Sequence, residues 1–196
     1  GVPFAIKDFT PTSGKRTTLG SKIFEHWVPS YDPPLVERLL KAGGIMIGKT
    51  TTPEFAHSSF TDSPLWGPPR NPWNLRCTAG GSSGGSAVAV ATGCVPIAEG
   101  SDAGGSIRIP AALTGTVGLK PSFGRIPMGI LPSAFDSIFH FGPISRTVSD
   151  SALFLNVTQG PDDRDIMSLP ATQPIHLPIE HCAAGLRLAL CPDQGF

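Results

Sequence analysis

The chain has 196 residues, 40% of them hydrophobic, enough for one domain with its own core and too apolar for a disordered polymer. Lys plus Arg number 15 and Asp plus Glu number 15, so charge makes no case for nucleic acid or an anionic membrane surface. The 23 glycines and 21 prolines are spread along the chain, which fits a loop-rich enzyme scaffold better than a helical bundle.

In chain order, VPFAI at 2–6 predicts a short buried strand that ends at Lys7. DPPLVERLLKAGG follows as a helix, with Asp32 as N-cap, Pro33 at the first helical position and Gly43 as the stop. Leu35, Val36, Leu39 and Leu40 are its predicted apolar face. IMIG at 45–48 reads as a buried strand, and GSAVAVATG as a helix packed so closely that only small side chains fit. VGLKPSFGRIP is strand and turn, and RTVSDSALFLNVTQGP is a helix capped by Thr147 and stopped by Gly160-Pro161. A polar, proline-punctuated loop then leads to GLRLAL at 185–190, a last strand. Helix and strand alternate, so the predicted class is α/β, as one domain over 1–196.

The cysteines at 77, 94, 182 and 191 form no CxxC pair and have no histidines at zinc spacing, so they read as free thiols in a reducing compartment. No apolar run approaches the ~20 residues of a spanning helix, and no signal peptide is evident. Both ends look cut from within something larger: the chain opens GVPFAIKDF and closes GLRLALCPDQGF.

GGIMIGKT at 43–50 fits the G-x-x-x-x-G-K-[ST] phosphate loop letter for letter, with Lys49 and Thr50 in the chemical positions. Its context argues against nucleotide. A phosphate loop lies between a strand and the following helix, whereas here a helix precedes, IMI is itself the strand, and Pro53 stands where a helix should be running. The plain reading is a helix stop, a buried strand and an exposed lysine.

Two Gly/Ser-rich stretches carry more chemistry. AGGSSGGSAVAVATG at 79–93 is followed, after one helix and one short extended run, by the loop from Asp102 to Ser106. Such loops can converge at one end of a sheet. Consecutive N–H groups from Ala103 to Ser106 would form an oxyanion nest, and Ser106 there is a candidate nucleophile. None of the histidines at 26, 57, 140, 176 and 181 has an obvious catalytic context, and G-x-S-x-G does not occur around Ser106. Lysine is then the economical base, and Lys7 at the end of an apolar strand is a candidate whose burial would favour the neutral amine.

GVPFAIKD, GGSSGGSA and GSDAGGSIRIPAALTGTVGLKPSFGRIP, in this order, resemble the amidase signature family of serine amidohydrolases. VERLLKAGGIMIGKTTTPEF, RNPWN and GPISRTVSDSALFL add to the likeness, which covers about residues 1–165 and resumes at GLRLALCPDQGF. The resemblance implies an α/β/α sandwich on a mixed twisted sheet, here apparently incomplete at both ends. It also implies Lys7 as catalytic lysine, Ser82 as the bridging serine after a cis peptide, and Ser106 as acyl-enzyme nucleophile. Ala103, Gly104, Gly105 and Ser106 would supply the oxyanion hole. The implied reaction is hydrolysis of a carboxylic amide with no metal or organic cofactor, in which a proton passes from Ser106 through Ser82 to Lys7 and returns to the departing amine.

Other residues carry weaker expectations. Ser83 adjoins the bridging serine and has a supporting or structural role, and Ser86 a structural one. Asp102 and Arg108 brace the loop or touch substrate. His57 and Ser58 fall where family members line the acyl pocket, though a plain surface or core role is open to them. Asn156-Val-Thr158 is a glycosylation sequon by letters, discounted because it lies within a helix. Ser101 stands where the family usually has Thr, and Ala103 where Gly is frequent. KTTTPEF lacks the Met-Asp-Glu-Phe character of glutamyl-tRNA amidotransferase A subunits, which favours a general amidase. The alternatives are such an amidotransferase component, or a catalytically silent piece that merely binds. The expected partner is a small-molecule amide, with no nucleic acid and no membrane. A homo-oligomer is compatible, the expected location is cytoplasmic, and residues 1–196 alone are expected to be incompetent.

Overall fold

The computed structural model describes residues 1–130, 136–179 and 185–191. Its strands and helices run in chain order as β1 (Pro3–Lys7), α1 (Pro34–Lys41), β2 (Ile45–Thr50), β3 (Arg70–Asn71), β4 (Asn74–Thr78), α2 (Gly84–Ala91), β5 (Ile97–Asp102), α3 (Arg108–Thr114), β6 (Val117–Gly118), β7 (His140–Ser145) and α4 (Val148–Thr158). A five-stranded mixed sheet has the order β2-β1-β5-β7-β6, and β3 with β4 makes a separate antiparallel pair. β1 is parallel to both β2 and β5, whereas β7 runs antiparallel to β5 and β6.

Strand alternation sorts the side chains into two layers. Phe4, Ile6, Ile97 and Phe141 meet Leu35, Val36 and Leu39 of α1 and Phe154 of α4 on one face. Ala5, Ala98 and Ile144 meet Ala87 and Val90 of α2 and Ile107 on the other. The second face is built from smaller residues, so α2 lies close to the sheet. That closeness brings its N-terminal loop to the carboxyl ends of β1 and β5.

Helix signals read from sequence hold at α4, where Thr147 accepts the Asp150 N–H at 3.1 Å, and at Gly43, whose φ of +82° ends α1. They fail at Asp32. Pro33 occupies the cap position of α1, and the Asp32 carboxylate instead takes the Ser13 N–H at 2.8 Å. Leu40 is exposed rather than part of the apolar face.

Residues 45–50 form a strand, so no phosphate loop exists there, but this strand is not buried. β2 lies at the sheet edge and leaves Ile45 and Ile47 exposed. The Lys49 side chain is not exposed either: its ammonium donates to the Thr10 carbonyl and to the hydroxyls of Thr12 (2.9 Å) and Thr17 (3.3 Å). Residues 185–190 do not form the predicted last strand, and Leu186, Leu188 and Leu190 all face solvent. β7 is hidden in the sequence by Gly142 and Pro143, residues that normally argue against a central strand.

Cys77, Cys94 and Cys191 are free thiols at the surface, and Cys182 lies outside the described residues. Asn156 is in α4 as expected, and its side-chain amide bonds both the N–H and the carbonyl of Ile175, each at 2.8 Å. Among the described residues no helix is long and apolar enough to cross a membrane.

Candidate active site

Lys7 ends β1, the strand flanked by β2 and β5, and is completely buried. Its Nζ lies 2.6 Å from Ser82 Oγ and 2.9 Å from Ser101 Oγ. Burial pulls this ammonium down to about 7, against the opposing pull of the Glu99 and Asp102 carboxylates. Burial thus shifts this site toward the free amine.

Ser82 reaches Lys7 because the 79–83 loop ahead of α2 is tightly folded. The Gly81–Ser82 peptide is cis, Ser82 is buried, and Thr61 Oγ1 bonds the Ser82 carbonyl at 3.3 Å. The glycines serve close approach as much as bending. A Cβ on Gly81 would lie 2.7 Å from the Phe60 carbonyl carbon, and one on Gly85 2.5 Å from the Thr51 nitrogen. Ser86 Oγ bonds the Glu99 carbonyl at 2.7 Å and Thr50 Oγ1 at 2.6 Å, which ties α2 to β5 and β2. Ser83 Oγ pairs with the Ser101 main chain at 3.3 Å, and the Ser83 N–H donates to the Ser106 carbonyl at 3.1 Å.

Ser106 sits two residues ahead of α3, half-buried, with Asp102 bracing the turn between them. The Asp102 carboxylate accepts the N–H groups of Gly105 (2.8 Å) and Ile107 (3.1 Å) and pairs with Arg108 Nη2 at 2.9 Å and Nε at 3.0 Å. Burial opposes its ionisation, but Arg108 and these amides outweigh that and hold it at about 2. Both residues therefore brace the loop. Because Gly105 N–H is engaged by Asp102, the amides of the predicted nest without a protein acceptor among the described residues are those of Ala103, Gly104 and Ser106.

Ser82, Ser101, Ala103, Gly104 and Ser106 line one cavity of about 320 Å³. Ser58, with its neighbours His57 and Ser59, lines the same cavity together with Phe55 and Phe139. No hydrogen bond joins the Ser82 and Ser106 hydroxyls among the described residues, although both open on this space. No cluster of His, Cys, Asp or Glu suited to a metal ion occurs among the described residues.

Ser101, Glu99 and Phe139 escape a reading of the sequence. Ser101 stands out there only as a departure from the family pattern, yet its hydroxyl is the second acceptor of Lys7. Glu99 has a readable signal, a lone carboxylate in the otherwise apolar run VPIAEG. Phe139 has none, because only the fold brings it to this cavity.

The Amidase family model matches residues 1–196. The chain belongs to the amidase family. It is 46% identical over 197 residues to an acylamidase of Rhodococcus erythropolis, covering 100% of this chain and 41% of that relative. It is 47% identical over 198 residues to a component of the glutamyl-tRNA(Gln) amidotransferase of Prochlorococcus marinus, covering 99% of this chain and 41% of that relative. Among solved structures, a bacterial aryl acylamidase of the amidase signature family superposes with a TM-score of 0.83 at 41% identity, over 88% of this chain and 36% of that one. The chain thus spans about two fifths of the length of the curated relatives it matches.

Proposed function

We propose that this chain carries the catalytic centre of an amidase that hydrolyses a carboxylic amide through an acyl-enzyme on Ser106. The observation that carries this reading is the contact of a fully buried lysine amine with Ser82 Oγ, at the wall of the cavity that Ser106 shares. Neutral Lys7 accepts the Ser82 proton as Ser82 accepts that of Ser106, and Ser106 Oγ attacks the carbonyl carbon. The developing oxyanion is held by the amides of the 103–106 loop that lack a protein acceptor among the described residues, those of Ala103, Gly104 and Ser106. The proton then returns through Ser82 to the amine as the C–N bond breaks, and water repeats the sequence on the ester to release the acid. These steps use side chains and main-chain amides alone, with no metal or organic cofactor.

Phe55 and Phe139 beside His57, Ser58 and Ser59 support a small uncharged amide as substrate. The similar identities to an acylamidase and to an amidotransferase component keep the second activity as the alternative reading. A cytoplasmic location accords with the free thiols.

The test is labelling of the intact protein with a fluorophosphonate, followed by peptide mapping. The adduct is expected on Ser106. An adduct on Ser82 or Ser86 with Ser106 unmodified overturns the assignment. Comparing hydrolysis of an aryl amide with that of glutamine separates the amidase reading from the amidotransferase reading.

A further inference from the structure

Glu99 is a completely buried carboxylate to which the proposed reaction gives no role. Its position is set by the way β1 and β5 part company. Their paired register runs through Phe4–Ile97 and Ala5–Ala98 and then stops, although β1 continues to Lys7 and β5 to Asp102. Past the last rung, the Lys7 N–H has no main-chain acceptor on β5. Glu99 Oε2 accepts it instead, at 2.8 Å, so a side chain stands where a ladder rung would be. Its other oxygen, Oε1, accepts the Thr10 hydroxyl at 2.9 Å, and the Thr10 N–H closes the turn on the Lys7 carbonyl at 3.0 Å. The carboxylate thus grips Lys7 from its own amide and from the turn that follows it.

We propose that Glu99 is a positioning residue that holds Lys7 through its main-chain amide and, by its negative charge, sets the pH at which the Lys7 amine becomes free. Among the described residues the charged surroundings are few. From β2, Lys49 acts on Glu99, and from the end of β5, Asp102 acts on Lys7. Asp8 is engaged by the Thr18 N–H and hydroxyl. The β7 residue opposite Glu99 is Pro143, and α2 contributes only the Ser86 hydroxyl, on the Glu99 carbonyl. Burial pushes the Glu99 carboxyl up, while the Lys7 N–H, the Lys7 ammonium and the Thr10 hydroxyl favour its charged form, with both oxygens accepting hydrogen bonds. In that form it stabilises the charged lysine, in opposition to desolvation. Without it, burial acts on Lys7 with less restraint and the amine loses its proton at lower pH.

The experiment is a titration of Lys7 by NMR in the intact protein, with labelled lysine assigned through Lys7→Arg, alongside the pH dependence of amide hydrolysis. In Glu99→Gln, which keeps an acceptor of similar shape, the Lys7 midpoint is expected to fall by about 1–3 pH units. The acidic limb of kcat/KM, whose link to Lys7 rests on the function proposed above, should fall with it. Thr10→Val removes a donor that favours the charged carboxylate, so Glu99 holds its charge less firmly and both should move in the same direction by less. It serves as the test if Glu99→Gln does not fold. An unmoved Lys7 midpoint in the folded variant overturns the inference. A midpoint that moves while the rate limb stays in place retains the Glu99 inference and overturns the role of Lys7 as base, so the two failures are distinct.

Discussion

Lys7 and Lys49 are two sequestered lysines on neighbouring parallel strands, only one register step apart: Lys7 pairs with Thr50, and Ile6 with Lys49. Burial lowers both, to about 7 and about 8 respectively. A depressed proton affinity therefore does not distinguish them, and their acceptors do. Lys7 Nζ meets two serine hydroxyls, which can accept a proton and hand one on. Lys49 Nζ meets the Thr10 carbonyl, which only accepts, and the hydroxyls of Thr12 and Thr17 in the same loop. One lysine meets the serine that lines the Ser106 cavity, and the other fastens a loop. A perturbed lysine becomes a candidate base through what lies beside it, in addition to its burial.

The largest expected effect separates the two directly. Lys7→Ala should lower amide turnover by about 10²–10⁴-fold, the usual range for a general base, with a smaller loss on activated esters whose leaving groups need less protonation. Lys49→Met should leave turnover within a few-fold of the unsubstituted protein. Comparable losses in steady-state assays of the two variants would erase the distinction.

Lys49→Met should instead appear in stability, by about 1–3 kcal/mol, because the Thr10 carbonyl loses its donor in a part-buried setting. The pH dependence has a definite sign. Between about 8 and the ordinary lysine value near 10.5, the unfolded chain binds a proton at this residue that the folded chain does not, so the Lys49 contribution makes stability rise with pH across that window. Urea denaturation at a series of pH values should show this rise reduced in Lys49→Met. An unchanged slope would mean that Lys49 is solvated like a surface lysine.

The smallest effect concerns single hydroxyls. Thr12→Val removes one acceptor of Lys49 and should cost about 0.5–1.5 kcal/mol in the same denaturation experiment, with the acidic limb of the rate profile unmoved. A shifted limb would show that the two lysines are coupled through their shared loop.

The legible part of the site is its small-residue loops. GGSSGGS and GSDAGGS announce main chain in close approach, and the crowding at Gly81 and Gly85 matches that reading. The Asp102–Arg108 brace is legible too, because a carboxylate ahead of a helix start has amides to accept. Strand reading is less secure. The alternating leucines of 185–190 match a strand pattern, yet they face solvent here, and β7 carries Pro143 within the sheet. Asp32 resembles a helix cap, but a loop distant in sequence offers the Ser13 amide.

By itself, the sequence determined which residue types stand ready: a lysine at the end of an apolar strand, serines among glycines, a capped helix at Thr147 and a stop at Gly43. These follow from local rules of backbone freedom, capping and periodicity, which act over a few residues. Only the tertiary structure decided that Ser82 and Ser101 share the Lys7 amine, that Glu99 replaces a strand rung, and that Lys49 closes a loop. Each of those contacts spans dozens of residues in sequence, and each arises because a buried polar group must find a partner wherever the packed sheet and helices bring one within reach.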